Sequence, residues 1–124
     1  MLSNPTIAGC PFCRSNNLLK SRILAESQAA YLTENMHFPG DYLIIPNTHA
    51  ESPMELADTW WQDVKELLQH ISPYPTDYNL AFNVGRAAGQ TVKHLHLWVV
   101  PRVADEPASG KGLATLIQFR NEHE

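Results

Sequence analysis

Several features that would assign a protein to a broad class are missing from this 124-residue sequence. It has no long apolar run, so no segment is predicted to span a bilayer, and its start lacks the basic and apolar regions of a signal peptide. Its net charge of −4 leaves no basic excess, which argues against general nucleic-acid binding. We therefore expect a cytoplasmic protein with neither a membrane nor a nucleic acid as partner.

Cysteine is also scarce, and both copies lie in the unit Cys10-Pro11-Phe12-Cys13. No long-range disulfide is available, and the two-residue spacing lets both thiolates reach one ion. A tetrahedral zinc site needs two more ligands, for which there are six histidines: His37, His49, His70, His94, His96 and His123. His49 follows one predicted strand and His94 begins another, so both are expected at sheet ends where the cysteine unit could dock. The alternatives are a thioredoxin-like redox pair, which should follow a strand, and two ordinary buried thiols.

Hydrophobic patterning predicts an α+β fold, an antiparallel sheet with one main helix on one face. The strands are predicted over residues 21–27, 28–33, 42–45, 78–84 and 91–100, and a short C-terminal helix over 113–120. The main helix is predicted to begin at Ser52-Pro53-Met54-Glu55, which supplies an N-cap, an early proline and a glutamate three residues after the cap. Its apolar stripe comprises Ala57, Trp60, Trp61, Val64, Leu67, Leu68 and Ile71. The length predicts a single domain over residues 1–124.

The last predicted strand carries the residues best suited to catalysis. Its alternation separates Leu95, Leu97 and Val99 on one side from His94, His96 and Trp98 on the other. A neutral imidazole is a good nucleophile at phosphorus when one ring nitrogen is held as N–H. The preceding loop, Gly89-Gln90-Thr91, can donate N–H and O–H groups to phosphate oxygens, and Asn83 can add a side-chain donor. An ordinary surface or metal-binding pair of histidines remains the alternative.

Three motifs, in order, resemble those of the histidine triad (HIT) superfamily. They are the cysteine unit, the segment Pro39-Gly40-Asp41-Tyr42-Leu43-Ile44-Ile45-Pro46-Asn47-Thr48-His49, and the segment 83–102, which contains Asn83, Gly85, Ala88-Gly89-Gln90-Thr91-Val92, His94-Leu95-His96-Leu97, Val99 and Pro101-Arg102. The match covers most of residues 10–102. It implies an HIT-like sheet of five antiparallel strands and a homodimer whose sheets join across the two-fold axis.

The resemblance also implies a role for each matching residue. His96 would be the nucleophile that takes up a nucleoside monophosphate as a phosphoramidate. Asn83, Gly89, Gln90 and Thr91 would hold the α-phosphate oxygens, and Glu34 or Asn35 would hold the ribose hydroxyls. Cys10, Cys13, His49 and His94 would be the ligands of one structural zinc ion.

The chain departs from the family pattern at Trp98, which replaces the third histidine and is expected beside the substrate. In hydrolase branches that histidine protonates the leaving group, and in the transferase branch the position is often glutamine. An indole N–H donates a hydrogen bond but delivers no proton in the relevant pH range. Trp98 therefore argues against efficient hydrolysis of phosphoramidates, unless it is only a packing residue. A lesser departure is Asp41, where the family often has histidine.

Two functions of different classes follow from these observations. The first is a nucleotide phosphoanhydride hydrolase or nucleotidyltransferase, acting on a substrate such as a diadenosine polyphosphate through a nucleotidyl-histidine intermediate. The alternative is a nucleotide-binding module that a structural zinc ion cross-links and that turns over little substrate.

Overall fold

One antiparallel sheet organises the chain in this computed structural model, which describes residues 6–122. Its strands are β1 (Ile23–Glu26), β2 (Ala30–Glu34), β3 (Tyr42–Pro46), β4 (Asp77–Phe82) and β5 (Leu97–Arg102), in the spatial order β1-β2-β3-β5-β4. The helices are α1 (Trp60–Leu68) and α2 (Leu113–Glu122). The predicted α+β architecture is confirmed. Within the described range, no helix has both the length and the apolar character that crossing a membrane requires.

The two faces of the sheet are covered by different parts of the chain. On one face, α1 packs through Trp60, Val64, Leu67 and Leu68 against Ala30, Leu32, Ile44, Leu97 and Val99. On the other, the N-terminal segment covers Tyr31, Leu43 and Ile45, and α2 covers Val100 through Leu116. Trp98 contacts both clusters of this second face, so it lies between the N-terminal segment and α2.

The predicted start of the main helix is wrong. Ser52 does accept a hydrogen bond from Met54 N (3.2 Å), but it caps a single 3₁₀ turn, after which Leu56 adopts extended backbone. The α-helix begins only at Trp60. A capped 3₁₀ turn and a capped α-helix share their first-turn signals, which is why the sequence does not separate them. Trp61, assigned to the apolar stripe, is 50% exposed, whereas Trp60 is buried.

The last strand also begins later than predicted. It starts at Leu97, so His94 and His96 lie in an irregular segment that precedes the strand rather than on the strand itself. The backbone there bonds to a different partner: Leu95 N donates to Ala50 O (2.6 Å), in the segment after β3. Within β5 the predicted alternation is confirmed, because Leu97 packs on the α1 side and Trp98 on the other.

Candidate metal centre and active site

Four side chains that are distant in sequence converge where the N-terminal segment meets the sheet. The ligand atoms of Cys10, Cys13, His49 and His94 all lie within 4.8 Å of one another. Cys13 Sγ lies 3.3 Å from His49 Nδ1 and 3.6 Å from His94 Nδ1, and Cys10 Sγ lies 3.5 Å from His94 Nδ1. Tetrahedral zinc, with bonds of about 2.3 Å to sulfur and about 2.0 Å to nitrogen, would separate the two ligand types by about 3.5 Å. Donor set and spacing therefore fit such an ion.

The structure separates these two histidines from the other candidates. His37 and His70 are exposed and lie outside the cluster, and His96 is not part of it. His123 lies outside the described residues. The two histidines at sheet ends are thus the ones that meet the cysteines.

Neighbouring groups orient the ligands of this cluster. His94 Nε2 donates to Pro46 O (2.7 Å), so the Nδ1 lone pair faces the thiols. Burial lowers the pKa of His94 to about 4, which keeps the ring neutral near pH 7. Burial raises the pKa of the Cys10 thiol. Asn16 Nδ2 donates to Ile7 O (2.8 Å) and Cys10 O (2.9 Å), which fixes the turn that presents the cysteines.

The ring of His96 is held in one tautomer and one orientation. Its Nδ1 lies 2.9 Å from His94 O, and because a carbonyl only accepts, Nδ1 carries the hydrogen. Within residues 6–122, Nε2 makes no hydrogen bond, and it is not among the buried unpartnered atoms, so solvent reaches it. Burial lowers the pKa of the ring, and Phe12 packs edge-on against it with centroids 4.9 Å apart. His96 is therefore a neutral imidazole with an open lone pair.

Comparison with known proteins identifies the family. The model of the HIT domain matches residues 20–105. The chain belongs to the HIT family. It is 32% identical over 111 residues to the adenosine 5′-monophosphoramidase of Schizosaccharomyces pombe, covering 83% of this chain and 81% of that protein.

Solved structures of the HIT family share the fold. A zinc-bound histidine triad family protein from Mycobacterium smegmatis matches with a TM-score of 0.65 and 23% identity, over 92% of this chain and 97% of that one. A HIT family hydrolase from Clostridium thermocellum matches with a TM-score of 0.61 and 27% identity, over 82% and 97% of the two chains.

The loop that precedes the histidines of the HIT motif is closed by Gln90. Gly85 N donates to Gln90 Oε1 (2.8 Å), and Gln90 Nε2 donates to Glu51 O (3.0 Å), so much of this buried amide is used inside the protein. Thr91 is exposed. Gly89 has φ +90°, a left-handed conformation that favours glycine, and a Cβ there would lie 4.0 Å from Asn83 Nδ2. The Asn83 amide is thus brought beside the loop.

The two residues assigned to the ribose have different surroundings. Asn35 is buried, and its Oδ1 accepts hydrogen bonds from His37 N (2.9 Å) and Phe38 N (3.2 Å), which builds the following turn. Glu34 is exposed, with Arg22 3.7 Å away. Both residues line a cavity of about 450 Å³, which Phe12 also lines. A larger cavity of 760 Å³ lies elsewhere, beside Cys13 and His49, and none of residues 83–96 lines it.

Trp98 and Asp41, the two departures from the HIT motif, are linked through side chains. Trp98 packs against Phe38 with centroids 6.0 Å apart, and its buried Nε1 has no hydrogen-bond partner among the residues that the structure describes. The Arg120 guanidinium lies over Phe38, 4.9 Å from the ring centroid, and bonds to both Asp41 oxygens at 2.7 and 3.2 Å. Sequence analysis missed Arg120 because 79 residues separate it from Asp41.

Proposed function

We propose that this HIT protein is a nucleotide phosphoanhydride hydrolase or nucleotidyltransferase that works through a nucleotidyl intermediate on His96. Family membership and the named relatives support nucleotide binding and hydrolase chemistry. The observation that carries the proposal is the His96 ring itself. It is neutral, its Nδ1–H is held by His94 O, and its Nε2 is open to solvent.

In the proposed reaction, His96 Nε2 attacks the α-phosphorus of the substrate. The N–P bond forms as the bond to the leaving oxygen breaks, and the leaving group departs with that electron pair. The imidazole becomes cationic, and its Nδ1–H remains on His94 O, which favours the charged ring. Water or an acceptor hydroxyl then attacks the same phosphorus and loses its proton to solvent. The N–P bond breaks, so the nucleoside phosphate leaves and His96 returns to its neutral form.

The loop before His96 is proposed to hold the phosphate. Thr91, the Asn83 amide and the backbone N–H groups near Gly89 are the proposed donors to the α-phosphate oxygens. Gln90 shapes this loop through its contacts with Gly85 and Glu51, and contributes its remaining N–H. Its two bonds hold the Gln90 amide in place before substrate arrives, so its remaining N–H can stabilise developing charge without reorganising.

The 450 Å³ cavity is the proposed nucleoside site. Its volume falls within the roughly 300–1,000 Å³ of small-molecule sites, and Phe12 joins it to the His96 ring. Glu34 is the better candidate for the ribose hydroxyls, since its carboxylate is exposed in the same cavity. Asn35 is instead occupied by the backbone of its own turn.

The Cys10, Cys13, His49 and His94 cluster is the proposed site of a structural zinc ion. When bound, the ion would supply a cross-link between the N-terminal segment and the residue that precedes the nucleophile by two positions. His94 serves both sites, because its ring faces the thiols while its carbonyl fixes His96 Nδ1. The proposed metal site therefore orients the nucleophile indirectly.

A homodimer and a cytoplasmic location complete the proposal. β4 lies at the edge of the sheet, and it presents Leu80, which is 36% exposed. An edge strand with exposed apolar side chains favours pairing with a second copy.

The test of the proposal compares His96→Ala with His70→Ala on diadenosine tetraphosphate, with AMP release as the readout. We expect the His96 variant to lose at least about 10³-fold in turnover, because no other group replaces the nucleophile. His70 is exposed and outside the site, so its variant should keep the wild-type rate. Undiminished AMP release by His96→Ala would refute the proposed intermediate.

The second candidate function is a nucleotide-binding module with little turnover. It is favoured by Trp98, which cannot supply the proton that a poor leaving group needs. Tight AMP binding, without product and without a covalent adduct on His96 in mass spectra, would select it.

A further inference from the structure

We propose that a cavity beside Trp98 binds a planar aromatic ring of the leaving group, so that the preferred substrates carry a base at both ends. The cavity measures 210 Å³, and its lining includes Phe38, Asn83, Trp98, Leu113 and Ile117. The inference rests on the proposed function, since there is a leaving group only if the substrate is cleaved at the α-phosphorus.

The position of this cavity relative to the nucleophile suits a leaving group. Trp98 follows His96 by two residues, so their Cα atoms are at most about 7 Å apart. Asn83 lines the cavity and also lies beside the Gly89 loop, where the phosphate is proposed to bind. The turn after β2 lies between the 450 Å³ cavity, which Asn35 lines, and the 210 Å³ cavity, which Phe38 lines. With the nucleoside in the 450 Å³ cavity, the 210 Å³ cavity is left for the base of the leaving group.

The walls of the cavity fit an aromatic ring better than an anion. Trp98 and Phe38 provide two aromatic surfaces, and Leu113 and Ile117 of α2 provide aliphatic ones. Arg120 is also in the lining, but its guanidinium is already paired with both Asp41 oxygens. At 210 Å³, the cavity is smaller than the roughly 300–1,000 Å³ of whole-ligand sites, so it suits a ring rather than a complete nucleotide.

Stacking is the contact that these walls offer to a ring. Nucleobases have a flat surface that stacks on aromatic side chains, and Trp98 and Phe38 both line the cavity. The Trp98 Nε1–H is closed to solvent and has no hydrogen-bond partner among the described residues, so it reports on a bound ring without being needed to bind it.

The same residues account for both departures from the HIT motif. Asp41 holds Arg120, Arg120 covers Phe38, and Phe38 packs on Trp98, which fixes α2 over the position of the third histidine. A polyphosphate leaving group departs without being protonated. A substrate of this kind needs no proton donor at this position, which leaves the position available to bind the base.

A kinetic test uses two substrates that share the attacked AMP unit. Diadenosine tetraphosphate releases ATP, and adenosine 5′-tetraphosphate releases inorganic triphosphate, which has no ring. We expect kcat/KM to favour the first substrate by about 10-fold or more, as base stacking does. Ile117→Phe should fill the cavity and bring that ratio close to one. The control is Val103→Phe, at an exposed position outside the cavity lining, which should keep the wild-type ratio.

A binding test is independent of turnover. The probe is the NMR signal of the Trp98 indole N–H, which the Trp98→Phe variant assigns. In the wild-type protein saturated with AMP, this signal should shift on addition of ATP and stay in place with inorganic triphosphate. His96-dependent AMP formation with equal kcat/KM for both substrates and no indole shift would overturn the inference and leave the proposed function standing. No AMP from either substrate would refute the proposed function, and the indole signal would still decide the ring site.

Discussion

The two sides of His96 differ in whether their buried polar atoms have hydrogen-bond partners. On the side of the cysteines, His94 uses both ring nitrogens, one toward the thiols and one toward Pro46 O, and Asn16 fixes the turn that carries the ligands. On the other side, Trp98 lies between Phe38 and α2, and its buried N–H has no partner within residues 6–122. The first side repeats the HIT pattern, and the second departs from it at Trp98 and Asp41.

The difference shows which parts of the site can change independently. A nucleophilic imidazole needs one nitrogen held as N–H and the other free, and that requirement is met entirely through the His94 carbonyl. Among residues 6–122, no group on the Trp98 side makes a hydrogen bond to the His96 ring. The proposed leaving-group side can therefore change while the ring of the proposed nucleophile keeps its orientation. Each of the following experiments perturbs one side and asks whether the other responds.

The largest effect is expected from removing the proposed zinc ion. A structural zinc site contributes folding free energy directly, so Cys13→Ser should lower the melting temperature by about 10 °C or more. Metal content by mass spectrometry should fall from about one zinc per chain to none. Chelation should lower the melting temperature of the wild-type protein to that of the variant, and should leave the variant unchanged. A metal-free protein that melts like the wild type would rule out the structural role.

The next largest effect is expected from restoring a proton donor on the Trp98 side of His96. Trp98→His should raise hydrolysis of adenosine 5′-phosphoramidate by about 10²–10⁴-fold, the usual contribution of a general acid. Hydrolysis of diadenosine tetraphosphate should rise much less, because its leaving group departs without a proton. Trp61→His, at a half-exposed position on α1, is the matched control. An unchanged phosphoramidate rate would mean that the proton donor is not what limits this reaction.

Much of the fold and of the metal cluster was predictable from local signals. Hydrophobic patterning predicted the five strands and their succession along the chain, though not their order in the sheet, and His49 and His94 were singled out because each adjoins a predicted strand. The start of α1 was not predictable, since Ser52 caps a 3₁₀ turn with the same residues that cap a helix. The irregular backbone at His94 was also missed, because the neighbouring Leu95 N bonds to Ala50 O rather than to another strand, and the His94 side chain bonds to Pro46 O.

The Trp98 side was least predictable because it depends on contacts between distant residues. The Arg120–Asp41 pair joins α2 to the turn before β3, and neither residue carries a local signal for the other. The cavity exists only because α2 packs over β5, so no pattern within either element describes it. The orphaned indole N–H likewise follows from packing rather than from residue type.

A smaller effect is expected from the ion pair that anchors α2. Asp41 is only 3% exposed and Arg120 25%, so Asp41→Asn should lower the free energy of unfolding by about 1–3 kcal/mol. Denaturant unfolding measures this loss, and Asp105→Asn, at an exposed loop position, serves as control. The metal content should be the same in both variants, because the pair lies on the Trp98 side. Coupled loss of metal would show that the two sides are not independent.

The smallest effect concerns a residue behind the metal ligands. Asn16→Ala removes the donor to Cys10 O and Ile7 O, which leaves the ligand turn less well held. Outer-shell partners of this kind typically contribute about 10-fold or more to metal affinity, so competition with a chromophoric chelator should show a weakening of that order. Asn47→Ala is a suitable control, since Asn47 is exposed near the same cluster and its side chain makes no hydrogen bond within residues 6–122. If both variants bind metal equally well, the turn that carries Cys10 is held by its own backbone. The Asn16 side chain then contributes nothing measurable to metal affinity.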